Sequence, residues 1–174
     1  EYMNSHKNRV KFYAWMLAFS GAMIGLVTSA NLIILFLFWE MTTITSFFLI
    51  GLKDEEQDPP WNAIQAFTIT LVGGLAMLAG FLLIYDVLGT MEISEIAMRA
   101  PELHASNLLI PIVVLIMLGI FTKSALIPFH TWLPRAMVAP TPVSAYLHSA
   151  TMVTGGVFLT GRFLSVFGGV QTWE

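Results

Sequence analysis

The sequence predicts an all-α polytopic membrane protein with five transmembrane helices, one of them discontinuous. The chain is 56% hydrophobic and only 11% charged, where a soluble domain has about a quarter of its residues charged. Its mean hydropathy is +0.75. The apolar residues gather into five stretches of roughly spanning length, separated by polar or proline-bearing segments.

The first stretch runs over about 12–29, with Gly21 and Gly25 in GxxxG spacing. A tight turn at Ala30-Asn31 leads into the second, about 32–52, which contains Glu40. The polar run KDEEQDPP follows, and its prolines break the helix. The third stretch, about 61–88, carries Ala76 and Gly80, suited to close helix packing. A longer polar loop, Gly89 to Ala105, holds Glu92, Glu95, Arg99 and Glu102.

The fourth stretch, about 108–137, is irregular. Its uncharged part, Leu108 to Phe121, would span about 21 Å at 1.5 Å per residue, while the hydrocarbon is about 30 Å thick. The span must therefore continue through Lys123. Pro128 lacks an N–H and disfavours helix at the residue before it, so a break is expected near 125–129. The fifth stretch covers about 143–167. The chain begins EYMNSHKNRVK, with neither an initiator Met nor a signal-peptide pattern, and reads as a single transmembrane region from a longer subunit.

Loop charge sets the orientation. Five spans put Lys7, Arg9, Lys11, Lys53 and Arg135 on one side and Arg99 on the other. The positive-inside rule makes the first side cytoplasmic, including residues 1–11. The chain has no cysteine, which excludes disulfides, thiolate metal sites, iron–sulfur ligation and a cysteine nucleophile. No basic patch with interleaved aromatics points to nucleic acid. No cofactor and no metal site are expected.

Three residues carry the functional reading. Glu40 lies near the middle of a span, in LIILFLFWEMTTITSFFLI, where an acid costs about 2.5–3.5 kcal/mol on insertion scales. It is either a structural carboxylate that fixes helix register or a titrating group on an ion path. Lys123, at the helix break, is its natural partner. An ammonium there can be met by freed carbonyls, water and an opposing carboxylate. The competing reading, a lysine snorkelling to the interface, must account for the apolar ALIPFHTWLP that follows. His148 sits about one turn into the fifth stretch and has the side chain a proton relay needs; the alternative is a hydrogen-bonded packing histidine. In a regular α-helix Thr151, Gly155 and Arg162 share its face. Thr151 and Thr154 are accessory candidates. His130, in a Pro-Phe-His-Thr-Trp bend, is a weaker candidate that could simply cap a freed carbonyl. His130 and His148 fit no metal or haem spacing. Arg162 is read as snorkelling outward.

The stretches FWEMTTITSFFLIG, FTKSALIPFHTWLPRAM and APTPVSAYLHSATMV resemble the antiporter-like membrane subunits shared by Mrp-type multisubunit Na+/H+ antiporters and respiratory NADH dehydrogenase. The MrpA type and the NADH-dehydrogenase subunit 5 type (NuoL) are the nearest in kind. The resemblance covers essentially the whole chain. It implies helices four to eight of the family fold, one half of an inverted repeat whose broken helix carries the ion site. It also implies that Glu40 pairs with Lys123, that the two switch between paired and separated states, and that His148 passes protons onward. One departure is plain. Many MrpA-type sequences read ATMVKAGVYL where this chain reads ATMVTGGVFL, with Thr154 in place of the lysine; NuoL-type sequences carry threonine there.

The expectation is a proton-translocating subunit of a multisubunit cation/proton antiporter in a bacterial or archaeal cell membrane. Its partners are other membrane subunits, lipid, protons and, in the sodium-coupled reading, Na+. It has no chemical active site of its own, and counts as a translocase subunit only in the NADH-dehydrogenase reading. The alternatives are a NuoL-type proton-pumping subunit and a structural subunit that conducts nothing.

Overall fold

The computed structural model describes residues 9–51, 59–137, 139 and 141–170. Its helices are α1 (Arg9–Thr28), α2 (Leu32–Ile50), α3 (Pro59–Leu88), α4 (Ile93–Met98), α5 (Ala100–His104), α6 (Leu109–Lys123), α7 (Trp132–Ala136), α8 (Thr141–Ser144) and α9 (Met152–Phe167). A 3₁₀ turn at Phe129–Thr131 precedes α7, and a π-helical stretch, Ala145–Thr151, joins α8 to α9. Among the described residues, Arg9–Thr28, Leu32–Ile50, Trp61–Leu88 and Thr141–Phe167 are long and apolar enough to cross a membrane, and Leu109–Lys123 is a shorter apolar helix. The Lys7 and Lys53 segments, on which the orientation argument drew, lie outside the described residues.

Several elements differ from the sequence expectation for local physical reasons. Helix α3 starts at Pro59, two residues before Trp61, because proline is tolerated in a first turn whose N–H groups have no intrahelical acceptor. The loop after α3 is not irregular: it folds into α4 and α5. The fifth stretch is not one α-helix, since the π segment lies inside it. That segment shifts the register between position 148 and α9, so the regular +3, +7, +14 face expected for His148 does not hold.

Helix α6 stops at Lys123 through a left-handed residue. Ala125 has φ 51°, and the Leu126 N–H reaches back to the Phe121 carbonyl at 3.0 Å. This is the six-to-one bond of a Schellman ending, a place usually taken by glycine. The interruption then runs through the cis Ile127-Pro128 bond. Because left-handed backbone is harder still on a β-branched side chain, Ala125→Val should lower the stability of the purified protein by about 1–2 kcal/mol. Ala125→Gly should not, and thermal unfolding in detergent would distinguish them.

The end of the bundle that carries α4 and α5 is tied together by side chains. Asn31 caps α2 by accepting from Ile33 N at 2.9 Å, and its amide donates to Glu92 Oε1 at 2.8 Å. Beside it, Leu32 N binds Met91 O and Ile93 N binds Ala30 O, both at 2.9 Å. Three helix C-termini finish here, and each offers a carbonyl to a basic side chain. Arg162 of α9 donates to Val27 O at 2.9 Å and to Ser29 O, beyond the end of α1. Arg99 donates to Leu88 O of α3 at 2.6 Å, and His104 to Val166 O of α9 at 2.7 Å. Arg162 therefore caps α1, where the sequence suggested that it snorkels outward. Arg99 also forms a salt bridge with Glu102 at 2.7 Å, and that hydrogen bond holds the Glu102 carboxyl below the usual range.

Two apolar cores fill the bundle. One, near this tied end, contains Leu26, Leu35, Trp39, Met77, Phe81, Ile112, Ile116 and Phe163. The other contains Phe12, Phe19, Leu49, Ala63, Ala66, Trp132, Val143 and Leu147. Helices α3 and α6 approach closely on small residues: a Cβ on Gly119 would meet Met77 Cβ at 2.7 Å, and one on Gly80 would meet Ile116 Cγ1 at 3.0 Å. Of the GxxxG pair in α1, Gly25 lies against the Phe38 ring, whereas a Cβ on Gly21 would meet nothing within 4 Å.

Candidate functional site

The interval between the two cores falls at corresponding places in each long helix. On α2 it covers Glu40, Thr42, Thr43, Thr45 and Ser46; on α3, Thr70, Gly73 and Gly74; on α6, Thr122 and Lys123. Ser124 continues it at the helix break, and Thr154 to Gly156 occupy the same interval on α9. The hydroxyls on α2 and α3 mostly turn back onto their own helix carbonyls, as with Thr70 to Ala66 O at 2.8 Å and Ser46 to Thr43 O at 2.8 Å. That habit lets a polar side chain lie in an apolar bundle without an unpaired donor.

Lys123 lies at the centre of this seam. It is the last residue of α6 and only 1% exposed. Its ammonium donates to Trp39 O and to Thr43 Oγ1, both at 2.7 Å. It also lies 4.8 Å from the centre of the Trp39 ring, within cation–π reach. Both oxygens belong to α2, so the lysine crosses from the broken helix to the helix that carries Glu40.

Glu40 comes from the same stretch of α2 but does not form a salt bridge with Lys123; the two groups interact electrostatically across the seam. Its carboxylate packs on α3 where Gly74 leaves room, since a Cβ there would stand 1.8 Å from Glu40 Oε1. Both carboxylate oxygens are buried and make no short hydrogen bond among the described residues, although the Thr43 hydroxyl and the Lys123 ammonium both act on them at longer range; the neighbouring Trp39 Nε1 is buried without a partner as well. A buried polar atom left so is uncommon and calls for a specific explanation.

The break after Lys123 is held from two sides. Trp132 Nε1 donates to Thr122 O at 2.9 Å, taking one of the carbonyls the helix end sets free. Ser124 Oγ donates to Val153 O of α9 at 2.9 Å and fills the space beside Gly156, where a Cβ would lie 1.9 Å from it. The backbone of His148 lies in the π-helical stretch; its side chain is outside the described residues. Thr151 Oγ1 donates to Tyr146 O at 2.7 Å, within the π stretch. Thr154 Oγ1 donates to Thr151 O at 3.0 Å and is exposed. His130 is exposed on the 3₁₀ turn.

The structure thus brings Glu40 and Lys123 to one seam and leaves His130 outside it. Sequence reasoning missed Thr43, the Trp39 carbonyl, Gly73-Gly74 and Ser124. The Thr-Thr pair after Glu40 and the Gly-Gly pair inside an apolar helix were the available signals.

Residues 29–174 match the model of the family described as NADH:quinone oxidoreductase/Mrp antiporter, TM. A Staphylococcus saprophyticus protein named as antiporter subunit mnhA2 is 53% identical over 163 residues, 94% of this chain and 20% of that protein. A Staphylococcus aureus protein of the same name is 48% identical over 169 residues, 97% of this chain and 21% of that protein. The chain therefore spans about a fifth of the length of these relatives. Among solved structures, the Mrp complex from Dietzia sp. DQ12-45-1b contains a chain with TM-score 0.86 and 42% identity, covering 92% of this chain and 18% of that one. An archaeal membrane-bound sulfane sulfur reductase shares the fold, with TM-score 0.82 at 23% identity over 98% of this chain and 34% of that one. With the model matched over most of its length and a close structural likeness at 42% identity, the chain belongs to the NADH:quinone oxidoreductase/Mrp antiporter transmembrane family.

Proposed function

We propose that this chain is the ion-translocating part of an antiporter-like subunit, moving protons in exchange for Na+ within a multisubunit membrane assembly. The observation that carries this reading is a lysine ammonium fully buried in a membrane bundle and held by oxygens of α2, beside a buried carboxylate with no hydrogen-bond partner. Ionisable groups at such depth are expensive and serve ion paths. The names of the relatives, antiporter subunits and an Mrp complex, favour the sodium-coupled reading over one driven by quinone reduction.

In this reading Lys123 is the proton carrier. While its ammonium is close to Glu40 the pair is mutually neutralised. When the two move apart, a lone ammonium in a low-dielectric seam favours release of its proton. The proton passes to water and on toward the last helix, where His148 serves as relay. Thr151 and Thr154 line that helix as accessory groups, and His130 has at most a supporting part at the break. The side bearing Arg9, Lys11 and Arg135 is cytoplasmic, together with residues 1–11, by the positive-inside rule. The membrane is the cell membrane, and the remaining helices of the full-length protein, with the neighbouring subunits, supply the rest of the path.

Antiport by the full-length protein in its assembly, followed with a pH-sensitive dye in inverted vesicles, tests the proposal. Glu40→Gln and Lys123→Ala should each abolish the Na+-dependent signal while expression and assembly persist. Retention of the signal in Lys123→Ala would identify the lysine as structural and remove the reading.

A further inference from the structure

The Lys123 ammonium has two possible seats on α2, and only one of them is the carboxylate. The occupied seat consists of the Trp39 carbonyl, the Thr43 hydroxyl and the Trp39 ring face. Thr43 Oγ1 points its own hydrogen at Trp39 O, 3.3 Å away, which leaves a lone pair free to accept from Lys123 at 2.7 Å. Trp39 O is an unusually crowded acceptor: Thr42 Oγ1 also donates to it, at 2.7 Å. The Trp39 and Thr43 side chains are fully buried, so no bulk solvent competes for the ammonium. Glu40 lies immediately after Trp39 and one turn before Thr43, with its oxygens unpartnered.

We infer that Thr43 and the Trp39 carbonyl form a second binding seat for the Lys123 ammonium, in competition with the Glu40 carboxylate, and that Thr43 sets how the lysine divides its time between them. The inference rests on the ion-path reading of Lys123 and adds a residue to it. The seat is specific for an ammonium. It offers a hydroxyl and a carbonyl as acceptors and an aromatic face for the positive charge, and it has no negative charge of its own. A lysine held there forms no salt bridge with Glu40, yet its ammonium is hydrogen-bonded, so the arrangement with the salt bridge and the one without it stay close enough in free energy to exchange.

Thr43→Val is nearly isosteric and removes the hydroxyl, which accepts from Lys123 and donates to Trp39 O. The full-length protein in its assembly should then keep its abundance, while the Na+-dependent antiport rate falls about tenfold or more, the order expected for losing a hydrogen bond to a charged group. The pH profile of transport should also move along the pH axis, because the lysine now has only Glu40 to bind; among the described residues Glu40 is the charged group acting on it. Thr43→Ser, which retains the hydroxyl, should recover most of the rate and restore the profile, something a purely packing role for the threonine would not produce. If the valine variant does not assemble, Thr43→Ala serves in its place with the same expectations. A Thr43→Val protein with wild-type rate and profile, in membranes where Lys123→Ala is inactive, overturns the inference and leaves the ion-path reading intact. Activity in Lys123→Ala overturns both.

Discussion

Gly74→Ala should leave the protein assembled and reduce its ion transport about a hundredfold. A Cβ on Gly74 would stand 1.8 Å from Glu40 Oε1 and 3.0 Å from Glu40 Cδ. Those atoms are the far end of a flexible side chain, so the helices need not separate; the carboxylate is pushed out of its place instead. A displacement of about 1 Å in a reacting group can cost about 10²-fold in rate, and in the function proposed above the position of Glu40 relative to Lys123 is what matters. Gly73→Ala differs in kind. Its Cβ would meet Thr122 Oγ1 at 1.8 Å, Cβ at 2.6 Å and Cγ2 at 2.7 Å, a β-branched side chain that cannot swing clear. That variant should lose stability first. Gly21→Ala, with nothing within 4 Å, serves as the control. Dye-based antiport together with assembly on a native gel separates the cases, and wild-type transport by Gly74→Ala would show that the carboxylate need not lie where it is.

The largest loss of stability should come from Trp132→Ala. Trp132 is fully buried, belongs to the core shared with Leu49, Ala63 and Ala66, and donates to Thr122 O one residue before Lys123. Removing the ring should cost about 3–5 kcal/mol, and orphaning the carbonyl about 1–3 kcal/mol more. Trp132→Phe keeps most of the packing and should show only the second, smaller loss. Thermal unfolding of the purified protein in detergent measures both. If the alanine variant were as stable as wild type, the break after α6 would have to be held by something other than this tryptophan.

What could be read from the sequence, and what could not, follows from how each feature is made. A glutamate and a lysine inside apolar stretches announce themselves, because a charge in hydrocarbon needs a reason. Pro128 likewise signals an interrupted helix through its missing N–H. The seat of Lys123, by contrast, is half backbone: every residue has a carbonyl, and nothing in the letters marks Trp39 as the one that accepts. Helices α4 and α5, of six and five residues, are too short for periodicity to reveal. The π-helical stretch has no residue signature in AYLHSAT, and it undid the face-sharing argument for His148, which assumed regular α spacing. Arg162 looked like a snorkelling side chain because its acceptors, Val27 O and Ser29 O, lie more than a hundred residues away in the chain.

In the proposed ion-path reading, the two apolar cores on either side of the polar seam also serve as insulation. A charge at the depth of Lys123 must cross one of these apolar cores to reach either face, at the cost that hydrocarbon sets for an ion. In the same reading, two such resistances in series would keep an electrochemical gradient from leaking while the groups between them exchange protons. Conduction would then be a matter of wetting one core at a time, and a substitution that admits water to both at once would turn the proposed exchanger into a leak.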